Sequence, residues 1–344
     1  MGIQGKMTRS KVTDIGIESA SAPSNPSTGQ IWKDTSENAY KHYNGSEWVL
    51  MSQYVDGGSF SATGGEINDY TVSSTNYRSH TFLASGKFTV NNDSKVMDIL
   101  VIAGGGGGGG AYQSPGGGGG GAGGMVVLTN QTITPGEYQV IVGNGGMGGY
   151  GDGSFIRRLP RNGGNSQFGN LTMALGGGHG GNYSGRDAGD GGSGGGESHG
   201  AGTAVGTSGQ GSNGGTGAVN STQNAGGGGG AGGAGGNATD GTSGAGVGGP
   251  GLQNAFRTGS NIYYAAGGGG GGGYGGGNGG LPGTGGQGNG ASSGSTFHGT
   301  TGHSSNENTG SGGGGAGGPV GAIDQMPTRG GQGGSGIVVV RYVV

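Results

Sequence analysis

The 344-residue sequence has no cysteine, few charged side chains and no long hydrophobic run. Without cysteine there are no disulfides and no thiolate metal sites, so stability outside a cell would have to come from backbone bonding or oligomerisation. Hydrophobic residues are 28% of the chain, too few for an ordinary core of this size. Charged residues are 10%, too few for a tail kept disordered by its charge. Neither usual class of protein fits this composition.

Signals for membranes and nucleic acids are also missing. No stretch approaches 18 apolar residues, so no membrane insertion is expected. The first ten residues lack the apolar segment of a signal peptide, and Lys6 stands where a myristoylation signal needs Ser or Thr. A net charge of −3 with scattered Lys and Arg gives no basic patch for nucleic acid. We expect a protein made in a cytoplasm, with no nucleic-acid partner.

Glycine is in large excess, at 105 of 344 residues, and its pattern begins at an abrupt junction. The aliphatic run 99–103, typical of a buried strand, leads directly into seven consecutive glycines, residues 104–110. Fixing a residue's backbone costs roughly 1–2 kcal/mol, and glycine has most freedom to lose. The glycines therefore form either a flexible linker or helices packed among copies of themselves. The absence of a sustained Gly-X-Y period excludes the collagen triple helix.

The larger residues among the glycines favour packed helices over a linker. Substituted positions recur every third residue, as in Ala231, Ala234, Asn237 and Asp240. A polyproline-II-type helix has three residues per turn and no internal hydrogen bonds, so such a series lines one face and leaves the others bare. A flexible linker would show no such phase. We expect these helices at the outside of a bundle and the uninterrupted runs inside it: 104–110, 116–121, 226–230 and 267–273.

Strand-like segments around the glycine runs predict an all-β protein with almost no α-helix. The closing run 336–344 is apolar, which indicates that the last strand completes a sheet begun near residue 70. We therefore expect a β-sandwich frame with inserted polyglycine-II helices packed in a bundle, together forming a glycine-rich domain over residues 70–344. The frame segments are 70–142, 167–175 and 336–344, and the insertions are 104–124, 143–166 and 176–335.

The first 55 residues are predicted to form an extended arm and a three-stranded β-meander, followed by a linker over residues 56–69. Asn44-Gly45 is a strong hairpin signal. Three strands are the minimum for independent stability, so this unit is expected to pack on its own copies or on a larger partner. The aromatic residues available for these contacts are Trp32, Tyr40, Tyr43 and Trp48.

Two resemblances suggest a biological context. Residues 29–48 resemble the Gly-x-x-Trp-x-Asp-Thr … Tyr-x-x-Tyr-Asn-Gly-x-x-Trp module of bacteriophage tail-fibre and other virion proteins. This resemblance implies that Trp32, Tyr40, Tyr43 and Trp48 serve virion attachment or oligomer contacts. The later motifs, in order, resemble the glycine-rich domain family of phage tail-fibre and secreted bacterial proteins. They are Thr81-Phe82, Ser85 to Val90, the glycine run after Ala103, Thr134 to Val140, Asn162 to Phe168 and the strand after Gly336. This resemblance implies a polyglycine-II bundle like that of the distal adhesins of T-even-type phages.

Sequence signals for catalysis and cofactors are weak. Matches to Gly-x-Gly-x-x-Gly are expected by chance at this glycine content, and Gly86-Lys87 lacks the earlier glycine of a P-loop. Calcium-loop, zinc and catalytic-triad spacings are not found. The residues considered are the cluster Asp187, Asp190, Glu197 and His199, and the histidines His42, His80, His179, His298 and His303. We predict a protein that is not an enzyme and has no cofactor or metal.

The candidates for recognition are larger side chains that interrupt the glycines, because loops on a rigid scaffold commonly carry binding sites. An aromatic face beside Arg offers contact area at low entropic cost, together with hydrogen bonding. The alternative is that these aromatics staple the bundle or fill the edge of the frame. The candidate receptor-binding residues are Tyr183, Arg186, Phe256, Arg257, Tyr263, Tyr264, Phe297 and His298.

The resemblances imply a phage tail-fibre or fibre-tip adhesin, localised in the virion, that binds a host receptor without covalent chemistry. Its expected partners are other virion tail or baseplate proteins and a host-surface glycan or outer-membrane protein. Resemblance to phage fibres implies a homotrimer. A virion decoration or head-fibre protein without a dedicated receptor site is the alternative. A secreted bacterial matrix protein is a third hypothesis, weakened by the lack of a signal peptide.

Overall fold

The chain divides into two compact units, residues 1–61 and 62–344. Across the described residues the regular elements are β-strands and none is an α-helix, so the predicted all-β class is confirmed. The computed structural model describes residues 17–37, 39–50, 60–112, 115–151, 158–182, 188–200, 202–219, 223–240, 244–273, 278–286, 288, 299–318 and 328–344.

The strands of the described residues, in chain order, are β1 (Glu18–Ser19), β2 (Ile31–Asp34), β3 (Ala39–Tyr43), β4 (Trp48–Leu50), β5 (Ser61–Thr63), β6 (Glu66–Val72), β7 (Thr75–Phe82), β8 (Gly86–Asn91), β9 (Lys95–Ile102), β10 (Met125–Ile133), β11 (Gly136–Ile141), β12 (Tyr150–Gly151), β13 (Gln167–Phe168), β14 (Leu252–Asn254), β15 (Ile262–Tyr264), β16 (Thr328–Arg329) and β17 (Ile337–Val343).

The first unit contains one sheet with the strand order β1-β2-β3-β4. Strands β2, β3 and β4 are antiparallel neighbours and form the predicted meander. Strand β1 adds a fourth, parallel strand, with Glu18 opposite Lys33. No sequence pattern predicted β1, because a strand of two residues is too short to show a period.

Two larger sheets of the second unit pack face to face as a sandwich. Their strand orders are β10-β9-β17-β7-β6 and β13-β11-β8-β5. The last strand, β17, lies between β9 and β7, at the centre of its sheet, as the sequence predicts. Phe88 joins the two sheets: it is fully buried, and its ring centroid lies 5.1 Å from that of His80 and 5.7 Å from that of Phe168.

The sandwich begins earlier in the chain than composition indicates. Strand β5 and part of β6 lie within residues 56–69, so the predicted linker is wrong from residue 61 onward. Strand β6 is an edge strand with mostly exposed side chains, so main-chain pairing to β7 stabilises it and hydrophobicity does not reveal it. Its hairpin turns at Ser73 and Ser74, with φ of 47° and 66°, where such turns usually have Asn or Gly.

One histidine is fully buried inside the sandwich. His80 Nδ1 lies 2.6 Å from the carbonyl oxygen of Gly64, and Nε2 lies 3.0 Å from the hydroxyl oxygen of Tyr342. Because a carbonyl only accepts, Nδ1 carries the proton and Nε2 accepts from Tyr342. Burial lowers the pKa of His80 below the ordinary value of 6.5, although the Gly64 bond acts in the opposite direction. The side chain is therefore a neutral part of the core.

The glycine-rich segments lie side by side and are joined by main-chain hydrogen bonds. Within residues 104–111, Gly106 donates to the carbonyl of Gly121, and three residues later Gly109 donates to that of Gly118, both at 2.8 Å. A three-residue repeat with all bonds directed at neighbouring segments is that of a polyproline-II-type helix. We call these segments polyglycine helices. The structure has packed helices here, as predicted, and not a flexible linker.

The polyglycine helix 104–111 is surrounded on every side. Its N–H groups donate to three neighbouring segments, and its carbonyls accept from three others. The acceptor segments are 118–121, 161–164 and 331–334, and the donor segments are 146–149, 177–180 and 313–316. The N–H and C=O groups of this helix thus find hydrogen-bond partners without an α-helix or a β-sheet.

Interior polyglycine helices are buried at every residue. Four of them contain the runs predicted to be internal. Two others, 192–198 and 310–318, were not predicted because serine, glutamate or alanine residues interrupt their glycines. Among the described residues the interior helices are 104–111, 115–124, 192–198, 225–230, 265–273 and 310–318.

Close approach of the backbones explains why the interior is glycine. A Cβ added at Gly118 would overlap the carbonyl of Gly196, and one at Gly106 would overlap the carbonyl of Gly178. Alanine occurs near helix ends, as at Ala122, which packs in the hydrophobic cluster beside the five-stranded sheet.

Outer helices carry one outward side chain per turn, as the sequence predicts. Ala234 and Asn237 are both exposed, and so are Met147 (46%) and Leu281 (67%) on other helices. Each of these side chains occupies the position where another helix would otherwise pack. The side-by-side packing of helices therefore ends at the outer helices.

Gly118→Ala is expected to destabilise the second unit by about 1–3 kcal/mol. The added methyl group meets main-chain atoms, so no change of side-chain rotamer relieves the overlap. Chemical denaturation of the full chain measures this free energy of unfolding. Gly86→Ala is the matched control, since a Cβ there meets nothing closer than 3.6 Å. Equal stability of the two variants would contradict close packing around Gly118.

The buried neutral His80 predicts a loss of stability in mild acid. Its contribution is complete above about pH 6.5, and it is lost as the pH falls from there toward the lower pKa of the folded state, because the unfolded chain binds the proton first. The free energy of unfolding of the wild type should fall over this window by up to about 1.4 kcal/mol per pH unit relative to His80→Asn. Above pH 7 the two curves should run parallel. Identical slopes below pH 6.5 would show that His80 is not buried in the neutral form.

Candidate functional site

The polyglycine helices have one end at the sandwich and one end remote from it. Strand β9 leads directly into the helix 104–111, and at about 3.1 Å per residue Ala111 lies about 22 Å beyond Gly104. Beside Ala111, the Thr328 hydroxyl donates to its carbonyl (2.8 Å), and Asn182 Oδ1 accepts from the N–H of Gly110 (2.7 Å). We call this end of the bundle the far end.

Buried polar side chains complete the hydrogen bonding at the far end. Ser198 donates to the carbonyl of Gly116 (2.6 Å), and Asn224 accepts from the N–H of Gly273 (2.9 Å). Both residues are at most 1% exposed. This hydrogen-bonding role of polar residues was not predicted. The sequence signal for it is a single Asn, Ser or Thr next to the end of a glycine run.

Phe256 and Arg257 are part of the fold at the sandwich end. Phe256 is only 9% exposed, and the guanidinium carbon of Arg341 lies 3.9 Å from its ring centroid. Its carbonyl accepts from the Tyr70 hydroxyl (2.6 Å), and the Arg257 carbonyl accepts from the Ser79 hydroxyl (2.8 Å). The prediction that Phe256 contacts a receptor is therefore wrong. The segment folds over the five-stranded sheet, and this buries the aromatic ring of Phe256.

Tyr263 and Tyr264 lie on opposite faces of β15. Tyr264 is 1% exposed and packs in the hydrophobic cluster with Leu100 and Val339, and burial raises the pKa of its hydroxyl. Tyr263 is 39% exposed, and its ring covers Gly285. The proposed role of Tyr264 in recognition is wrong, because alternation along the strand directs it into the core.

The other predicted receptor contacts, Tyr183, Arg186, Phe297 and His298, lie outside the described residues. Their described neighbours in the chain are informative. Asn182 is at the far end, bonded to Gly110, and Gly299 lies against Thr328 there. Asn182 and Gly299, the described residues next to Tyr183 and His298 in the chain, thus both lie at the far end.

An aromatic side chain beside arginines is present on described outer segments near the far end. Tyr150 on β12 is directly opposite Arg329 on β16, and the guanidinium carbon of Arg329 lies 5.0 Å from the tyrosine ring centroid. On the other side, the Tyr150 N–H donates to the carbonyl of Arg158 (2.8 Å). Sequence analysis did not select these residues, because they are 8 to 179 positions apart in the chain and only the packing of the helices brings them together.

Three of the four predicted attachment aromatics, Trp32, Tyr43 and Trp48, form one cluster in the first unit, and Tyr40 lies on the other face of the sheet. Trp32 is 3% exposed, and its ring centroid lies 5.4 Å from that of Trp48, which lies 5.5 Å from that of Tyr43. Tyr40 is 36% exposed. Trp32 is thus the core of this small sheet, and Tyr40, Tyr43 and Trp48 keep part of their surfaces accessible.

The buried carboxylate of Asp34 explains why an aspartate occurs in the Trp-x-Asp-Thr part of the first-unit motif. Asp34 is 4% exposed and pairs with Lys41 Nζ at 2.8 Å, and it also accepts from the N–H and hydroxyl of Ser36 (2.9 and 2.6 Å). The Lys41 bond, followed by the Ser36 bonds, holds the pKa of Asp34 well below its usual range. This network fixes the turn between β2 and β3.

The acidic cluster considered for metal binding has structural partners instead. Asp190 accepts from the N–H of Val205 (2.6 Å) and Glu197 from that of Ala188 (3.3 Å), while Asp187 lies outside the described residues. Within the described part of the chain, no group of three or more His, Cys, Asp or Glu is arranged to hold a metal ion. The same part contains no helix with the length and hydropathy of a membrane span.

Comparison with protein families supports the architecture. The sequence matches the glycine-rich domain family over residues 81–343, from the end of β7 to the end of β17. The protein therefore belongs to the glycine-rich domain family. Comparison with curated proteins found no match.

Tyr263 and Tyr264 have opposite environments, and substituting each tests which of them belongs to the core. Tyr264→Ala should lower the free energy of unfolding by about 3–5 kcal/mol through lost burial and a cavity. Tyr263→Ala is the control and should cost less than about 1 kcal/mol, since its ring is substantially exposed. Denaturation of both variants measures the difference. A larger effect at Tyr263 would reverse the assignment of core and surface.

Proposed function

We propose that the protein is a virion fibre protein that binds a receptor on the bacterial surface with the far end of its bundle. The observation that carries this proposal is the contrast between the bundle interior and its far end. Most interior positions accept only glycine, as at Gly118, because backbones touch there. Near the far end the described outer segments carry Tyr150, Arg158 and Arg329 in place of glycine.

Rigidity supports a binding role for such an end. Residues at the ends of a scaffold bonded laterally through its main chain lose little further freedom when they contact a ligand, which lowers the cost of binding. Variation in the connecting segments would change the ligand without disturbing the interior hydrogen bonds. This is the same division between scaffold and loops that other binding proteins use.

The first unit is the proposed attachment module. Its resemblance to a phage virion module covers β2, β3 and the first residue of β4. The partly exposed Tyr43 and Trp48 offer aromatic surface to a tail or baseplate protein on one face of the sheet, and Tyr40 does so on the other. Leu50, 55% exposed, extends that surface. As in phage fibres, we propose that three copies assemble.

Two measurements test this function. Antibody against the purified full chain, labelled with gold, should mark the tip of the tail of phage particles that carry the protein. An excess of the purified full chain should slow adsorption of those particles to their host, because it occupies the receptor. Gold spread over the capsid together with unchanged adsorption would instead favour a decoration or head-fibre protein.

A further inference from the structure

The basic residues of the glycine-rich segments differ from those of the sheets. Between residues 104 and 336 there are six arginines and no lysine. In the described sheets, five basic side chains are ion-paired: Lys33, Lys41, Arg78, Lys87 and Arg341. Arg158, Arg161 and Arg329, on the outer polyglycine helices, are exposed and form no ion pair with any described carboxylate.

The packing places these three arginines on one surface. Arg158 and Arg329 lie on the two segments that flank Tyr150, so the three residues form a row across three neighbouring segments of the chain. Arg161 is one turn further toward the sandwich, about 9 Å along the helix, where its N–H donates to the carbonyl of Met147 (3.0 Å). Tyr150 and Met147 also occupy successive turns of one outer helix. We call these five residues the arginine surface.

We propose that the arginine surface binds an anionic polysaccharide of the bacterial cell surface, which deepens, and rests on, the receptor-binding function proposed above. A guanidinium group forms paired hydrogen bonds with a carboxylate or phosphate, a geometry that lysine cannot supply. The half-buried ring of Tyr150 gives a sugar ring an apolar face to pack against. Guanidinium groups repeated along a helix suit a polymer whose negative charges also repeat.

The charge distribution favours a polysaccharide over nucleic acid. The whole chain has a net charge of −3, and a nucleic-acid site would need a broader basic area than three arginines. Asp190, on the segment bonded to Asn162, uses a carboxylate oxygen to accept from the Val205 N–H, and it forms no ion pair with Arg161. Nothing among the described residues neutralises the arginine surface.

Binding of defined polymers to the purified full chain tests the proposal. The probes are polygalacturonate, which carries carboxylates, a phosphorylated dextran, and unmodified dextran of the same length as the neutral control. We expect binding of one or both anionic probes and none of the neutral one, and the preferred probe identifies carboxylate or phosphate as the recognised group. Titration calorimetry at low and moderate salt measures the affinity.

Two triple variants separate geometry from charge. Arg158→Gln, Arg161→Gln and Arg329→Gln together should weaken anionic binding by at least about tenfold, because three charge-assisted contacts are lost. The same three positions changed to Lys should recover only part of the affinity. The control removes two positive charges from the sandwich, with Lys87→Gln and Lys95→Gln, and should bind like the wild type. Denaturation curves confirm that the variants remain folded.

The outcomes distinguish this inference from the broader function. If the full chain binds host cells but no anionic polymer, and the Gln variant binds cells as well as the wild type, the arginine surface is not the site while the adhesin function stands. Equal polymer binding by the Gln variant and the wild type would also overturn the inference. Loss of polymer and cell binding together in the Gln variant would support it. A failure of the wild type to bind any host cell would overturn the adhesin function itself.

Discussion

Lateral hydrogen bonding between glycine main chains is the interaction on which this structure depends. Each interior polyglycine helix directs its N–H and C=O groups outward in three-residue repeats, and neighbours on every side pair with them. The energy of one such bond is modest, but a buried main-chain group without a partner is costly, so the bundle is stable only as a complete arrangement. The side chains that hold an ordinary domain together are not needed inside it.

This bonding has a strict steric condition. The backbones approach so closely that a single added methyl group at most interior positions would overlap a neighbouring carbonyl. Larger side chains are therefore confined to the outer faces, the helix ends and the sandwich. The same condition that makes the interior uniform concentrates chemical variety at the edges of the bundle, where recognition can evolve.

The sandwich organises the bundle by fixing where its helices begin. Strands β9, β10 and β17 connect directly to polyglycine helices, and the central position of β17 joins the end of the chain to its middle. The aromatic residues near β14 and β15 close the outer face of the five-stranded sheet. Arg341 stacks on Phe256 and pairs with Asp98 at 2.9 Å, which links the sheet to that cover.

The sequence by itself determined the all-β class, the packed polyglycine helices and which of them carry outward side chains. These properties follow from local composition and from a three-residue period that any reader of the sequence can count. The first half of the β6 edge strand, residues 66–69, escaped prediction because main-chain pairing holds it and its side chains are mostly polar and exposed. The interior helix 310–318 escaped because Ser311 and Ala316 interrupt its run of glycines.

Only the tertiary structure decided which candidate residues face the solvent. Sequence placed Phe256 and Tyr264 among recognition loops, whereas packing against the five-stranded sheet makes them core residues. Conversely, Tyr150, Arg158 and Arg329 become neighbours only because their segments pack side by side. Glycine itself carries no side chain that could encode which segments pair. The physical reason is that helix neighbours are chosen by the complete set of lateral hydrogen bonds and not by any local pattern.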